Sequence, residues 1–376
     1  MGALNGFTVI ELAGLGPVPF AGMLLADQGA RVIRIERPGA PENSRNVLCR
    51  NRQRVALDLK DGPARDAVLR MIEGADALIE PYRPGVMERL GLGPQDCFAH
   101  NKKLVFARMT GWGQTGPLAA AAGHDINYVS LAGVTHAVGR AGEAPVPPLN
   151  LVGDYGGGGM LLAFGVMAAV WEASRSGHGQ VIDAAMIDGA SLLMAEYWGF
   201  LGRGEFSDRR GTHLLDGGAP FYQVYETSDG QHISIGPLES KFYQEMLQRL
   251  ELDPAQWQPQ NDTSLWPGLK AKLAEVFRMR SRDEWTKVLE GTDVCFAPVL
   301  SLAEVPHHPH HTARGTIVQV AGMHHPAPAP RFVRTPAAHP AAGGPVGSHT
   351  RDILVEFGCG EAEVADLLAR GVAQQD

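Results

Sequence analysis

The sequence has little of what would mark an extracellular, nucleic-acid-binding or membrane-bound chain. Its four cysteines, Cys49, Cys97, Cys295 and Cys359, are scattered without a CxxC pair. That pattern indicates neither a disulfide framework nor a zinc knuckle, and it fits a reducing compartment. No dense Lys/Arg run exists, and 33 basic against 41 acidic residues give a formal net charge of −8. Nucleic acid is therefore not an expected partner. No unbroken apolar run reaches the roughly 18 residues of a membrane span. The segment after Gly159 comes nearest, and Glu172 and Arg175 close it. The N-terminus lacks the basic region of a signal peptide, and Val372–Asp376 carries no peroxisomal tripeptide. A cytoplasmic enzyme without membrane contact is the expectation.

What is present is ordinary globular material: 44% hydrophobic and 20% charged residues over 376 positions. That length suits two domains better than one core. The first half alternates apolar runs with amphipathic stretches. Phe7–Leu12, Arg31–Glu36, Val55–Leu59, Ala77–Glu80 and Leu104–Met109 read as strands, with helices expected over Phe20–Gln28 and Ala64–Glu73. This is the rhythm of an α/β fold with parallel strands covered by helices. From about Ser191 the pattern changes. Phe221–Glu226 and Gln231–Gly236 flank an Asp229-Gly230 turn, a hairpin signal, and helical spacing follows at Ser240–Leu250, Leu269–Phe277 and Asp283–Leu289. Pro326–Gly347 is rich in Pro, Ala and Gly and reads as an extended connector before helical spacing resumes at Thr350–Phe357 and Glu361–Ala369. The expected organisation is a large α/β domain from residues 1–190 and 328–376, and a smaller α+β domain over 191–327.

Gly14-Leu15-Gly16 after the first strand invites a dinucleotide reading, but Pro19 stands at the third glycine position. Pro17 and Pro19 also remove two N–H donors that a pyrophosphate would use. Gly111-Trp112-Gly113-Gln114-Thr115-Gly116 is a second match, followed by Pro117, and both read better as glycine-rich turns. The chemically suggestive stretch is Val152-Gly153-Asp154-Tyr155-Gly156-Gly157-Gly158-Gly159-Met160, read with His124 in Gly123-His124-Asp125-Ile126-Asn127-Tyr128. Four glycines before a long apolar stretch look like a helix start stripped of side chains, with Asp154 at its N-cap. Free N–H groups there could hold a developing oxyanion. His124 adds an imidazole, the side-chain type whose ordinary pKa lies near neutrality. An acid, a base and an oxyanion site together suggest proton transfer next to a carbonyl.

These two segments, with Gly179-Gln180-Val181-Ile182-Asp183-Ala184-Ala185-Met186-Ile187-Asp188-Gly189, resemble the family III CoA-transferase superfamily, nearest its α-methylacyl-CoA racemase branch. The resemblance runs from Val9-Ile10-Glu11-Leu12 to Pro326–Phe332. It implies a large Rossmann-like domain, a small α+β domain and two chains interlocked as a homodimer. It also implies that His124 and Asp154 exchange the α-proton of an acyl-CoA thioester through an enolate. Backbone N–H groups of Gly156–Gly159 would steady the enolate oxygen. Glu239, by itself only a capping acid before Ser240, matches a glutamate that orients the histidine from across the dimer interface. Arg37, Lys60, Arg83 and Arg89 match positions that contact the CoA phosphates, a task suited to the guanidinium fork. Asp125, Asn127 and Tyr128 are expected to position groups and contact CoA.

The leading expectation is a racemase acting on 2-methylacyl-CoA with no metal and no cofactor beyond the CoA of its substrate. The alternative on the same fold is a CoA-transferase in which Asp154 is the acyl-accepting nucleophile. His124 favours the first. His307-His308-Pro309-His310-His311 could suggest a metal site, yet Pro306 and Pro309 break any helix and no nearby cysteine or spaced carboxylate completes a set.

Overall fold

The computed structural model describes residues 2–42 and 45–376. The chain divides into two compact units: residues 1–132, 149–194 and 310–376 form the first, and residues 133–148 and 195–309 the second. The observed division differs from the expected boundaries in two ways. The segment 133–148 leaves the large unit, and the chain returns to it at residue 310, ahead of the proline-rich stretch.

The first unit is built on strands β1 (Thr8–Leu12), β2 (Arg31–Glu36), β3 (Arg52–Leu57), β4 (Ala77–Glu80), β5 (Val105–Thr110) and β6 (Val181–Ala185). The second holds β7 (Gln223–Glu226), β8 (His232–Ile235) and β9 (Phe296–Pro298). A hairpin of β10 (Ile317–Val320) and β11 (Met323–Pro326) and the short β12 (Ala373–Gln374) belong to the first unit again. Its main sheet has the order β12-β3-β2-β1-β4-β5-β6. All neighbours are parallel except β12, which runs antiparallel to β3. The order 3-2-1-4-5-6 is the doubly wound Rossmann order, whose strand sequence reverses between β1 and β4.

Both sheet faces are covered. Ile10, Leu12, Ile33, Ile35, Val55 and Leu57 pack against the Gly62–Glu73 helix and the Thr350–Glu356 and Glu361–Ala369 helices. Val9, Val32, Ile79, Val105 and Ala107 pack against the Pro17–Asp27 and Leu161–Ser176 helices. One part of this second face is charged and buried. Glu11 lies between Arg34 and Arg52, at 3.0 Å from the latter, while Glu36 pairs with Arg34 at 3.1 Å and Arg54 at 2.6 Å. Apolar spacing therefore misses the start of β3, because Arg52 and Arg54 point inward as members of ion pairs. Gly22 lets the Pro17–Asp27 helix lie over this network; a Cβ there would stand 2.5 Å from Arg52 Nη2 and run into Glu11.

In the second unit, β7, β8 and β9 form an antiparallel sheet. The β7–β8 turn is closed by Gly230 at φ +71°. Phe221, Tyr225, Tyr243, Trp266, Phe277 and Trp285 fill its core. The polar tips of these aromatics are satisfied. Tyr225, Tyr243, Trp266 and Trp285 donate to the carbonyls of Pro220, Trp257, Gln260 and Phe277.

Candidate active site

Ligands of doubly wound sheets bind beyond the carboxyl ends of the strands, where the strand order reverses. Here that place lies after β1 and β4, and it holds a cavity of about 660 Å³. The volume suits a small-molecule site. Its walls are Ala13–Pro17 after β1, Pro81–Pro84 after β4, Gly111 and Trp112 after β5, and the segment that enters the Asp125–Leu131 helix. His124, Asn127, Tyr128, Arg83 and Asp154 all line it. Residues from both motifs, about thirty positions apart in sequence, thus share one cavity.

The local setting of Asp154 differs from the expected helix cap. Leu151–Met160 is π-helical, Asn150 is its N-cap, and it runs directly into the Leu161–Ser176 α-helix. Asp154 lies in the first turn. π-Helical segments inside helices are uncommon and concentrate at functional sites. Asp154 Oδ2 accepts a hydrogen bond from Asn150 Nδ2 at 3.0 Å, and its backbone N–H donates to Asp125 Oδ1 at 2.7 Å. Gly16, at φ +62° and ψ −111°, abuts the same carboxylate; a Cβ there would stand 2.7 Å from Asp154 Oδ2.

The glycine run therefore does other work than expected. Gly156–Gly159 lie past the first turn, so their N–H groups belong to the helical bonding pattern and are not free for an oxyanion. They let neighbouring backbones come close. A Cβ on Gly157 would meet Ala190 N at 2.6 Å, and one on Gly159 would meet the Pro17 carbonyl at 2.7 Å. The Met186–Leu193 and Pro17–Asp27 helices pack at these points. In the segment that enters the site after His124, the first-turn N–H groups of Asp125 and Ile126 have no intrahelical acceptor. No acceptor for them is found among the described residues.

His124 is exposed and is the N-cap of the Asp125–Leu131 helix, its backbone N–H donating to Asn127 Oδ1 at 3.0 Å. Asp125 was expected to position groups and contact CoA; it is buried and holds the backbone of Gly153 and Asp154, and burial, with Asp154 beside it, raises its carboxyl despite those N–H bonds. Tyr128 is buried with its ring edge against Trp112 at 4.7 Å between centroids. Burial and Asp154 raise its phenol, which Arg83 counters. Behind the Pro81–Pro84 wall, Glu80 is buried, accepts the Tyr82 N–H at 2.6 Å, and is pushed up to about 7 by burial.

Among the basic candidates, Arg83 lines the cavity, while Arg37, Lys60 and Arg89 do not. All four nevertheless follow the carboxyl ends of parallel strands: Arg37 after β2, Lys60 after β3, Arg83 and Arg89 after β4. All four are exposed. Glu239 lies in the second unit, exposed at the N-cap of the Ser240–Arg249 helix, without a side-chain capping bond. Sequence reasoning missed Asn150 and the packing role of Gly16. The second had a signal, since the Gly14-Leu15-Gly16-Pro17 turn stood out without a phosphate to explain it.

The Leu151–Ser176 helix is long and apolar enough to cross a membrane by length and composition alone. The unbroken-run criterion overlooked it because its glycines and Asp154 interrupt the apolar residues. Much of one side packs on the sheet in the second-face core through Leu162, Val166 and Ala169. A core helix passes the same test.

Comparison with known proteins agrees with this geometry. The model of CoA-transferase family III matches residues 4–350. An alpha-methylacyl-CoA racemase of Mus musculus is 43% identical over 99% of this chain and 98% of its own length. One of Homo sapiens is 41% identical over 97% and 96%. Among solved structures, a CAIB/BAIF family protein from Brucella suis superposes with a TM-score of 0.82 at 24% identity, covering 95% of this chain and 99% of that one.

Proposed function

The chain belongs to CoA-transferase family III, and on that premise we propose that it is a racemase of 2-methylacyl-CoA thioesters. The observation that carries the reading is the pairing of His124 and Asp154 on one cavity at the switch point of the sheet. A racemase needs a base on one face of the α-carbon and a proton donor on the other. An imidazole and a carboxylate can exchange these roles according to which enantiomer is bound. The first-turn N–H groups of Asp125 and Ile126 would take the enolate oxygen. Asn150 and Asp125 would hold the Asp154 carboxylate and backbone. The chemistry requires no metal and no redox cofactor.

Arg37, Lys60, Arg83 and Arg89 would receive the CoA phosphates along the carboxyl edge. A homodimer is part of the same reading. Met160, Phe164 and Trp171 leave one side of the long helix apolar and open, with Phe164 70% and Trp171 68% exposed. Leu192 and Leu193 extend the apolar exposure on the next helix. Extended apolar surface of this kind calls for a partner. In such a dimer the partner's Glu239 would orient His124.

The same Asp154 would serve a CoA-transferase as nucleophile, and one experiment separates the two. A single enantiomer of a 2-methylacyl-CoA is incubated in D₂O with no second acid. Deuterium at the α-carbon with drift toward a mixture is expected, and the drift should vanish in His124→Ala and in Asp154→Asn. Deuterium that enters only when an acceptor acid is present, or thioester exchange without deuterium, refutes the racemase reading.

A further inference from the structure

The two loops that carry Arg37 and Lys60 are fastened by one short stretch, Arg370–Gln374. Ala373 and Gln374 pair with Leu57 and Ala56 of β3. The Gln374 side chain reaches the other loop, where Oε1 accepts the Gly39 N–H at 2.8 Å, two residues after Arg37. The Val372 carbonyl accepts the Asp58 N–H at 2.8 Å, and Asp58 Oδ1 in turn accepts the Lys60 N–H at 3.1 Å. Arg370 Nη1 donates to Asp61 Oδ2 at 2.7 Å, while Asp61 Oδ1 caps the Gly62–Glu73 helix through the Ala64 N–H at 3.3 Å. The stretch so fixes the backbone on both sides of Lys60 and just after Arg37, in loops whose basic side chains are themselves exposed.

We infer that Arg370 and Gln374 are positioning residues for the nucleotide end of CoA, holding the Arg37 and Lys60 loops in register. The inference rests on the reading that those two cations receive the phosphates. Loops ordered before the ligand arrives lose less freedom when it binds, so loosening them weakens affinity. A contact to the nucleotide is the same in ground and transition states and therefore acts on KM, not kcat.

The test compares the native enzyme with Arg370→Ala, Gln374→Ala and the double variant, on a 2-methylacyl-CoA and on the matching acyl-pantetheine thioester. The double variant should raise KM for the acyl-CoA, and Kd for CoA itself, roughly fivefold to tenfold. Its kcat should hold, and its KM for the acyl-pantetheine, which has no nucleotide, should not move. Arg370→Lys should recover most of the loss. An unchanged KM for acyl-CoA overturns the inference, as does an equal loss with acyl-pantetheine, which would mark general destabilisation. Arg37→Ala is measured beside them. If it too leaves CoA affinity untouched, the placement of the phosphates falls and the positioning role falls with it. If it weakens CoA while the double variant does not, only the positioning role is wrong.

Discussion

Replacing Gly16 by alanine tests the site at its tightest point. At φ +62° and ψ −111° the backbone there is one that L-residues rarely adopt, and holding alanine in it should cost about 1–3 kcal/mol of stability. Space adds a second effect. The new Cβ would stand 2.7 Å from Asp154 Oδ2 and 3.0 Å from its Cγ, whereas ordinary contact begins at 3.4 Å. The carboxylate must therefore retreat by the difference, 3.4 − 2.7 = 0.7 Å, and doing so strains its 3.0 Å bond from Asn150. If Asp154 carries the proton as proposed, displacing it by about 1 Å costs on the order of 10²-fold in rate, so a loss approaching that size is expected in α-proton exchange. The assay is deuterium incorporation into 2-methylacyl-CoA, run beside thermal unfolding. Gly230→Ala supplies the control, because Gly230 has a comparable φ of +71° with no heavy atom near the added Cβ. It should lose stability and keep its exchange rate. The reasoning is refuted if Gly16→Ala exchanges protons as fast as Gly230→Ala at a temperature where both are folded.

Two further substitutions probe the interior of the same unit. Burial raises Glu80 from 4.5 to about 7, so the folded protein binds a proton there that the unfolded chain has released. Native stability must then fall as pH rises from 4.5 to about 7, by up to about 3 kcal/mol. Glu80→Gln removes that dependence and should gain on the native protein across this window in urea unfolding; a pH-independent difference would count against it. Gly22→Ala drives a Cβ into the buried Glu11–Arg52 pair, with Arg52 Nη2 only 2.5 Å away. Disrupting a buried pair costs about 3 kcal/mol or more, so this variant should unfold well below the native protein, and a near-native midpoint would show that the network yields easily.

The sequence by itself determined the class of fold and singled out the candidate site residues. The Ala77–Glu80 strand was legible because a parallel strand buried on both faces is a nearly continuous apolar run, here Ala77-Leu78-Ile79, and the β7–β8 hairpin because its Asp-Gly turn is a local signal. His124 and Asp154 were legible through motifs. Other features were decided only by tertiary contacts. Nothing in the sequence tells that Arg52 and Arg54 of β3 turn inward, since their partners Glu11 and Glu36 come from other strands. The glycines after Asp154 read as a bare helix start, since nothing local says that the Met186–Leu193 and Pro17–Asp27 helices must press against that backbone. That Asp125 positions groups was legible, but a sequence cannot show that the group it holds is an N–H 29 positions away. β12 and the fastening of the Arg37 and Lys60 loops join residues about 310 to 335 positions apart. Periodicity and capping signals act within a few residues, whereas these bonds exist only once the sheet has closed.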